Sequence, residues 1–191
     1  MSPETLLTST CGAMLRTLSG WLDKAEAWAG DGADALMAER LAPDMFPLAT
    51  QIRFACVQAR EGMCRLAGQD FPADLTALLN EARNAGEQPG TIADARARIA
   101  ETLERIAAFA DAPAQSDPER PIVHALPIGI VFDLNAGQYA RDWVLGQFYF
   151  HLMIAYAILR AKGVPLGKGD YVAHMMPFVR PGTMPQMPPG A

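Results

Sequence analysis

The chain has 191 residues, half of them hydrophobic, and a formal net charge of -5. This length and composition are sufficient to bury the core of one domain. The acidic balance leaves no basic face for a phosphate backbone, so we expect no nucleic-acid partner.

The first predicted element is a long helix that starts at Ser2, Pro3 and Glu4. A serine cap, a proline at the first helical position and an acid near the positive end of the helix dipole all favour a helix start. Apolar residues then repeat at steps of three and four as far as Trp28, and Gly30 ends the pattern. The opening segment MSPETLLTST lacks the basic and then apolar run of a signal peptide, which predicts a cytoplasmic protein.

A second long helix is predicted after the proline-containing break at residues 42–44. We expect Asp44 to cap it, with Pro47 tolerated in its first turn. The apolar positions between Met45 and Leu66 again follow three- and four-residue steps. This spacing predicts that one face of the helix packs in the core.

A third long helix follows residues 69–90, which are mostly polar and predict only a short helix. Thr91 and Asp94 favour its start, and its apolar positions extend to Phe109. After a proline-bearing connection, residues 122–134 switch to β-branched residues around a Pro-Ile-Gly turn, which predicts a small β-hairpin. Because an isolated two-stranded ribbon is marginal in water, we expect the hairpin to lie over a bundle edge or to meet another subunit.

The fourth long helix, predicted from Tyr139 to Lys162, is the element around which the fold should be organised. Asn135 and Gln138 form a predicted capping box at its start, and Gly163 favours its end. Two stripes of its surface are apolar, so we expect the helix, including the part that bears Phe150, to be enclosed. One stripe carries Tyr139, Trp143, Gly146, Phe150, Met153 and Ala157, and the other carries Leu145, Phe148, Leu152, Tyr156 and Leu159.

A membrane span is the alternative interpretation of this last helix. Its uncharged run from Trp143 to Leu159 is shorter than the roughly 20 residues that a bilayer requires. The run also contains Gln147 and His151, and polar side chains are costly in a bilayer. We therefore expect no membrane partner.

These elements predict an all-α fold, a four-helix bundle with a small β-hairpin between the third and fourth long helices. A single bundle domain is expected over residues 1–176, followed by a Pro-, Met- and Gly-rich tail over residues 177–191. The apolar stripes of the last helix favour a homodimer. Cys11, Cys56 and Cys64 lie in helical apolar patterns, which predicts free thiols in a reducing compartment.

Two blocks of the sequence resemble a known family. LAPDMFPLATQIRFAC (Leu41 to Cys56) and FYFHLMIAYAILRAKGVPLGKGDY (Phe148 to Tyr171) are similar to a widespread microbial family of unknown function that is grouped with the DinB/YfiT-like bundles. The resemblance implies this bundle fold for nearly the whole chain. For many members it also implies a metal site of three histidines, one from the second helix and two from the fourth.

The chain departs from that histidine pattern. Its second helix, over residues 46–67, contains no histidine, and the fourth contains only His151. No cofactor is therefore predicted, and a divalent metal at His151 remains an open alternative. His124 and His174, on the hairpin and near the tail, would complete a zinc or nickel site only if the fold brought all three imidazoles together.

Gln147 and His151 lie one turn apart, so both need polar partners if that side of the helix faces the interior. Candidate partners are Asp23, Gln51 and Tyr156, and these five residues are the candidate lining of a pocket for an unknown small molecule. A histidine paired with a carboxylate supplies general acid–base chemistry, with His151 as the candidate catalytic residue. A structural hydrogen-bond network needs the same residues, so both interpretations stay open.

Charged residues flank two of the connections. Arg40 and Asp44 lie on either side of the Leu-Ala-Pro break, and Arg160 and Lys168 flank the exit of the last helix. An arginine–aspartate pair across the two connections would anchor these loops, which predicts a structural role for the four residues.

Two functions remain compatible with the sequence. The first is a cytosolic homodimer that acts as a small-ligand-binding or interaction protein. The alternative, implied by the resemblance, is a DinB-like enzyme of the thiol transferase or isomerase type that uses His151 with a carboxylate or metal. The sequence contains no Gly-x-Ser-x-Gly or Cys-x-x-Cys motif that would favour nucleophilic catalysis.

Overall fold

A computed structural model describes residues 1–111 and 117–183. The fold is the predicted all-α four-helix bundle with a β-hairpin between the third and fourth long helices. The long helices are α1 (Pro3–Ala29), α2 (Leu48–Leu66), α4 (Ile92–Asp111) and α6 (Leu145–Ala161). The shorter helices are α3 (Ala73–Asn84), α5 (Ala136–Gln138) and α7 (Lys168–Tyr171), and 3-10 turns span Gly30–Ala38 and Ala173–Phe178.

The core lies between α2 and its neighbours. α2 packs most extensively against α6 and also contacts α1, α3 and α4, while α1 packs along α4. Apolar side chains from all four long helices form one buried cluster that includes Leu18, Trp21, Ile52 and Phe148. This arrangement brings the first half of α2 against the middle of α6.

The hairpin consists of β1 (Pro121–Ala125) and β2 (Val131–Asn135), which are antiparallel with Pro121 opposite Asn135. It lies over the end of the bundle where α1 begins and α2 ends, as one of the two predicted placements requires. A second buried cluster there joins Leu7 of α1, Leu66 of α2 and Ile122 of β1.

Local start and stop signals are mostly confirmed. The Ser2 hydroxyl accepts a hydrogen bond from the Thr5 amide at 3.2 Å, and Asn135 and Gln138 form the predicted capping box. The Asp44 cap is wrong, because α2 begins four residues later and Pro47 stands at its N-cap in an extended conformation. A proline disfavours the helical conformation in the residue before it, so the helix does not extend back toward Asp44.

The last helix departs from its predicted phase because Tyr139–Val144 is π-helical. A π-helical turn contains more than the usual 3.6 residues, so it rotates the residues that follow around the helix axis. Buried positions step by five from Tyr139 to Val144 and then continue through Phe148, Leu152 and Ala155.

The exposed face of α6 is a consequence of this rotation. Leu152 and the rest of the second predicted stripe pack inward, whereas Phe150 is 58% exposed and Met153 is 40% exposed. The prediction that this stripe is enclosed is therefore wrong, within the chain, for Gly146, Phe150 and Met153, whereas Tyr139 of the same stripe is buried as predicted. A helix that was expected to be covered on all sides presents one apolar face outward.

Gly62 of α2 lies against the π-helical segment. A Cβ atom at this position would lie 2.7 Å from Val144 Cγ1 and 3.0 Å from Leu7 Cδ1. The branched valine side chain has little rotamer freedom with which to move aside. We expect Gly62→Ala to lower the free energy of unfolding by about 1–3 kcal/mol, as overpacking in other cores does.

The measurement is chemical denaturation, and Gly20→Ala is the matched control. Nothing lies within 4 Å of a Cβ atom at Gly20, in the interior of α1, so alanine there should stabilise by about 0.5–1 kcal/mol. If Gly62→Ala stabilised the chain, as Gly20→Ala is expected to do, the close approach of Val144 to position 62 would be refuted.

Candidate functional site

A buried hydrogen bond joins α2 to α6 at His151. The Nδ1 atom of His151 lies 2.8 Å from Oε1 of Gln51, and the two side chains are 9% and 2% exposed. The Nε2 amide of Gln51 donates to the backbone oxygen of Phe46 at 3.2 Å. The chain therefore brings together two of the five predicted site residues.

These contacts fix the tautomer of His151. Because the amide nitrogen of Gln51 is used by Phe46, its oxygen accepts a hydrogen bond and Nδ1 of His151 must carry the proton. The Nε2 atom then carries the lone pair. Burial lowers the pKa of His151 to about 4, so the imidazole is neutral near pH 7.

Aromatic rings continue from His151 toward the surface on both sides. The ring of Phe54 stacks on the imidazole with centroids 5.0 Å apart, and Phe46 lies 5.8 Å from Phe54. Phe150 meets the imidazole edge-on at 5.4 Å. We call Phe46, Phe54, His151 and Phe150 the aromatic row, whose two end rings are 52% and 58% exposed.

The other predicted pocket residues lie elsewhere. Asp23 is exposed and pairs with Arg96 of α4 across the bundle surface. Tyr156 is half-buried and packs edge-on against Trp21, with ring centroids 5.2 Å apart. Gln147 is half-buried one turn before His151. His151 thus has a neutral amide as its partner rather than a carboxylate.

This pairing limits the chemistry of the imidazole. General acid–base work is most effective when the pKa lies near the operating pH, and a pKa near 4 with an amide partner makes His151 a weak base. Its contacts are those of a core hydrogen bond that links two helices.

The donor set does not fit the three-histidine centre that the resemblance implies. The second long helix of this chain supplies Gln51 beside His151 rather than a histidine, and the last helix supplies only one histidine. Zinc and nickel sites are built from imidazole, thiolate and carboxylate ligands rather than from amide side chains. Among residues 1–111 and 117–183, no group of three His, Cys, Asp or Glu side chains is placed to hold a metal ion.

The three histidines occupy separate environments. His124 of β1 is buried between Tyr139 and Trp143 under the hairpin, with ring centroids 5.4 and 4.4 Å away. Desolvation, with a smaller effect of the nearby Arg65 cation, lowers the pKa of His124. His174 lies in the C-terminal 3-10 turn, beside α1. The fold therefore does not gather them.

The loop anchor at the exit of α6 uses neighbours of the predicted residues. Lys162 pairs with Glu39 at 2.5 Å and ties the end of α6 to the connection before α2. Within the described part of the chain, no ion pair forms between the four predicted anchors Arg40, Asp44, Arg160 and Lys168. The charged residues at the ends of the connections indicated where the loop anchor lies, but not which residues form the ion pair.

The cysteines are free thiols, and Cys11 and Cys56 are buried in the core. Burial raises the pKa of both thiols to about 12, so neither is a thiolate at neutral pH. Cys64 is half-buried, and burial also raises its pKa. None of the three has the environment of a nucleophile.

The helical stretch Ala136–Ala161 is long and apolar enough, by length and composition alone, to cross a bilayer. Core helices of globular bundles often pass the same test, and this stretch packs against α1 and α2. Only 39% of its most apolar 18-residue window is buried within the chain. The low buried share reflects the exposed apolar face of α6.

Sequence reasoning missed a groove between α1 and the C-terminal segment. It has a volume of about 650 Å³ and is lined by residues that include Arg16, Trp21 and His174. Arg16 and Trp21 lie on the predicted first helix. His174 lies in the segment that follows α6, and helical periodicity does not predict where that segment packs. No short motif in the sequence marks it.

Comparison with known proteins agrees with this fold. Residues 6–172 match the family described as Domain of unknown function (DUF1993). A DinB family member protein from Shewanella denitrificans, known from its crystal structure, is 31% identical, with a TM-score of 0.67 over 97% of this chain and 95% of that one. No curated protein matches the chain. The chain therefore belongs to the DUF1993 family of unknown function, within the DinB-like helical bundles.

Proposed function

We propose that this protein is a cytoplasmic homodimer that acts as a binding or interaction protein, with the exposed face of α6 as the contact between copies. The observation that carries the proposal is the pair of large apolar side chains, Phe150 and Met153, on the outer face of the most apolar helix. Exposed apolar surface of this kind is typical of protein interfaces.

The order of side chains on this face favours a second copy of the chain as the occupant. Gly146, Phe150, Met153 and Ala157 follow one another as small, large, large and small residues. A two-fold axis between Phe150 and Met153 would set each large side chain against the other in the partner and each small residue against a small one. A two-fold interface needs this kind of self-complementary surface.

The aromatic row strengthens the same assignment. Phe150 contacts His151, which stacks on Phe54, and Phe54 contacts Phe46. The His151–Gln51 hydrogen bond fixes the row between α2 and α6, so the exposed rings are held in place before any partner arrives. Rigid aromatic side chains are common anchors at interfaces because little entropy is lost when they bind.

We expect Phe150→Asp to convert the dimer to a monomer. Burying an unpaired carboxylate twice across a two-fold axis is strongly unfavourable, because each copy would place its charge in an apolar contact. The molar mass in solution, measured by light scattering after gel filtration, should change from two chains to one. Circular dichroism should remain unchanged, since Phe150 is mostly exposed within the chain.

Phe178→Asp is the matched control, because Phe178 is 78% exposed but lies on the C-terminal 3-10 turn. It should leave the dimer intact. A monomeric natural protein, or a dimer that survives Phe150→Asp, would refute the proposal.

The DinB-like enzyme remains the second proposal, with one observation in its favour. The hydrogen bond to Gln51 holds His151 in the tautomer whose Nε2 carries the lone pair. A thiol transferase or isomerase activity would require this lone pair to act. Activity that disappears in His151→Asn, in a chain whose fold is unchanged, would support it.

A further inference from the structure

A groove lies between α1 and the C-terminal segment. α1 supplies one wall, and the residues after α7 supply the other. Two bonds to Asp170 tie α7 to α1 beside the groove: the indole Nε1–H of Trp21 donates to its backbone oxygen at 3.3 Å, and Lys24 pairs with its carboxylate at 2.6 Å. An adjoining recess of about 310 Å³ extends from His174 to Tyr149.

The charges in this groove are not balanced. The Lys24 ammonium is neutralised by Asp170, whereas Arg16 has no ion-pair partner among the residues that the structure describes. The groove therefore carries one surplus positive charge on a chain whose net charge is -5. A guanidinium is well suited to bind a planar carboxylate through two parallel hydrogen bonds.

His174 adds a polar group that lacks a partner. Its Nδ1 atom is buried and makes no hydrogen bond to any described residue. A buried polar atom without a partner costs free energy. The rest of the half-buried imidazole lines the groove, so its accessible edge is the second polar group available to a ligand there. His174 lies in both the main groove and the recess.

The remaining walls are apolar. Pro177 and Phe178 line the groove on the C-terminal side, whereas Trp21 is 1% exposed and offers little surface to a ligand. Phe178 is 78% exposed, so covering it with an apolar ligand would remove a large aromatic surface from water. A ligand that matched the groove would combine one anionic end with a flat apolar body.

We propose that this groove binds a small aromatic carboxylate, with the carboxylate at Arg16 and His174 and the ring system against Pro177 and Phe178. The proposal rests on the proposed binding role and names the ligand class that would fill it. It does not require the dimer, because none of these residues lies on the exposed face of α6.

The test uses 2-naphthoate as the probe and isothermal titration calorimetry on the full chain. We expect saturable binding of one naphthoate per chain and much weaker binding of the neutral 2-naphthamide. Arg16→Gln should weaken naphthoate binding by about tenfold or more, as the loss of a charge-assisted hydrogen bond does. Arg16 is exposed, so the variant should fold normally.

Arg83→Gln is the matched control, because Arg83 is also exposed but lies on α3, away from the groove. It should bind naphthoate as the natural protein does. The inference is overturned if no saturable binding occurs, if the amide binds as tightly as the acid, or if Arg16→Gln and Arg83→Gln behave alike. Naphthoate binding that persists in Phe150→Asp would separate this inference from the fate of the dimer.

Discussion

Replacing Glu81 with glutamine is expected to lower the free energy of unfolding by about 3–5 kcal/mol, because it leaves the buried guanidinium of Arg53 without its charged partner. The Arg53 side chain is 2% exposed, and its Nε lies 2.6 Å from Oε1 of Glu81. The other carboxylate oxygen of Glu81 accepts from Nε of Arg98 at 2.8 Å. Glu81 therefore lies between an arginine of α2 and an arginine of α4.

The same arrangement occurs a second time along α3. Asp74 lies between Arg60 of α2, at 2.6 Å, and Arg105 of α4, at 3.1 Å. Asp74 and Glu81 are two helical turns apart, and so are the two arginines that each helix contributes. The short helix α3 is thus held to the bundle by two carboxylates, each of which bridges two arginines.

A double-mutant comparison distinguishes a stranded buried cation from a simple loss of contacts. Arg53→Met removes the buried charge and leaves Glu81 paired with Arg98, so it should cost less than Glu81→Gln. The double variant should be more stable than Glu81→Gln alone, since no unpaired guanidinium remains. Denaturant unfolding at neutral pH measures all three.

The control is an exposed pair elsewhere in the chain. Arg141 and Asp142 are 63% and 57% exposed, so Asp142→Asn should change stability by less than about 1 kcal/mol. If Glu81→Gln cost no more than Asp142→Asn, or if the double variant were the least stable of the set, the buried Arg53 charge would not depend on Glu81.

The sequence was sufficient to predict features that depend on neighbouring residues. The Ser2 cap, the Asn135–Gln138 capping box and the glycine at position 163 were all identified from residue type, and each is present. Such signals act within one or two turns, so their physics is contained in a short stretch of chain.

Features that depend on distant contacts could not be predicted in the same way. Periodicity assumes 3.6 residues per turn, so it could not anticipate the π-helical turn that rotates Phe150 outward. The spacing of Gln147 and His151 indicated which side of the last helix needed polar partners. It could not distinguish Gln51 from Asp23 as the partner, because that choice depends on which helix packs there.

His151 should make folding stability pH-dependent between about pH 6.5 and pH 4. The pKa of its imidazole is lowered to about 4 in the folded chain by burial, against an unfolded value near 6.5. As pH falls through this window, the unfolded chain takes up the proton before the folded chain does. The stability associated with neutral His151 is therefore complete above about pH 6.5 and is lost as pH falls through 4.

The expected loss is about 3 kcal/mol over the whole window, of which about 2 kcal/mol is lost by pH 5. The measurement is the free energy of unfolding from pH 7.5 to pH 4.5, compared with His151→Asn, whose side-chain amide can still donate to Gln51. The natural chain should lose more stability than the variant as pH falls. The pKa of His124 is also lowered, but His124 is present in both chains and its contribution cancels.

Imidazole nitrogen NMR gives an independent readout of the same site. His151 should show a proton on Nδ1 at neutral pH, because Gln51 Oε1 accepts a hydrogen bond from it. It should remain neutral until the solution is well below pH 6. A proton on Nε2, or a midpoint near 6.5, would mean that the His151–Gln51 hydrogen bond does not form in solution. The aromatic row would then lose the contact that holds it between α2 and α6, and the face proposed for the dimer would not be preorganised.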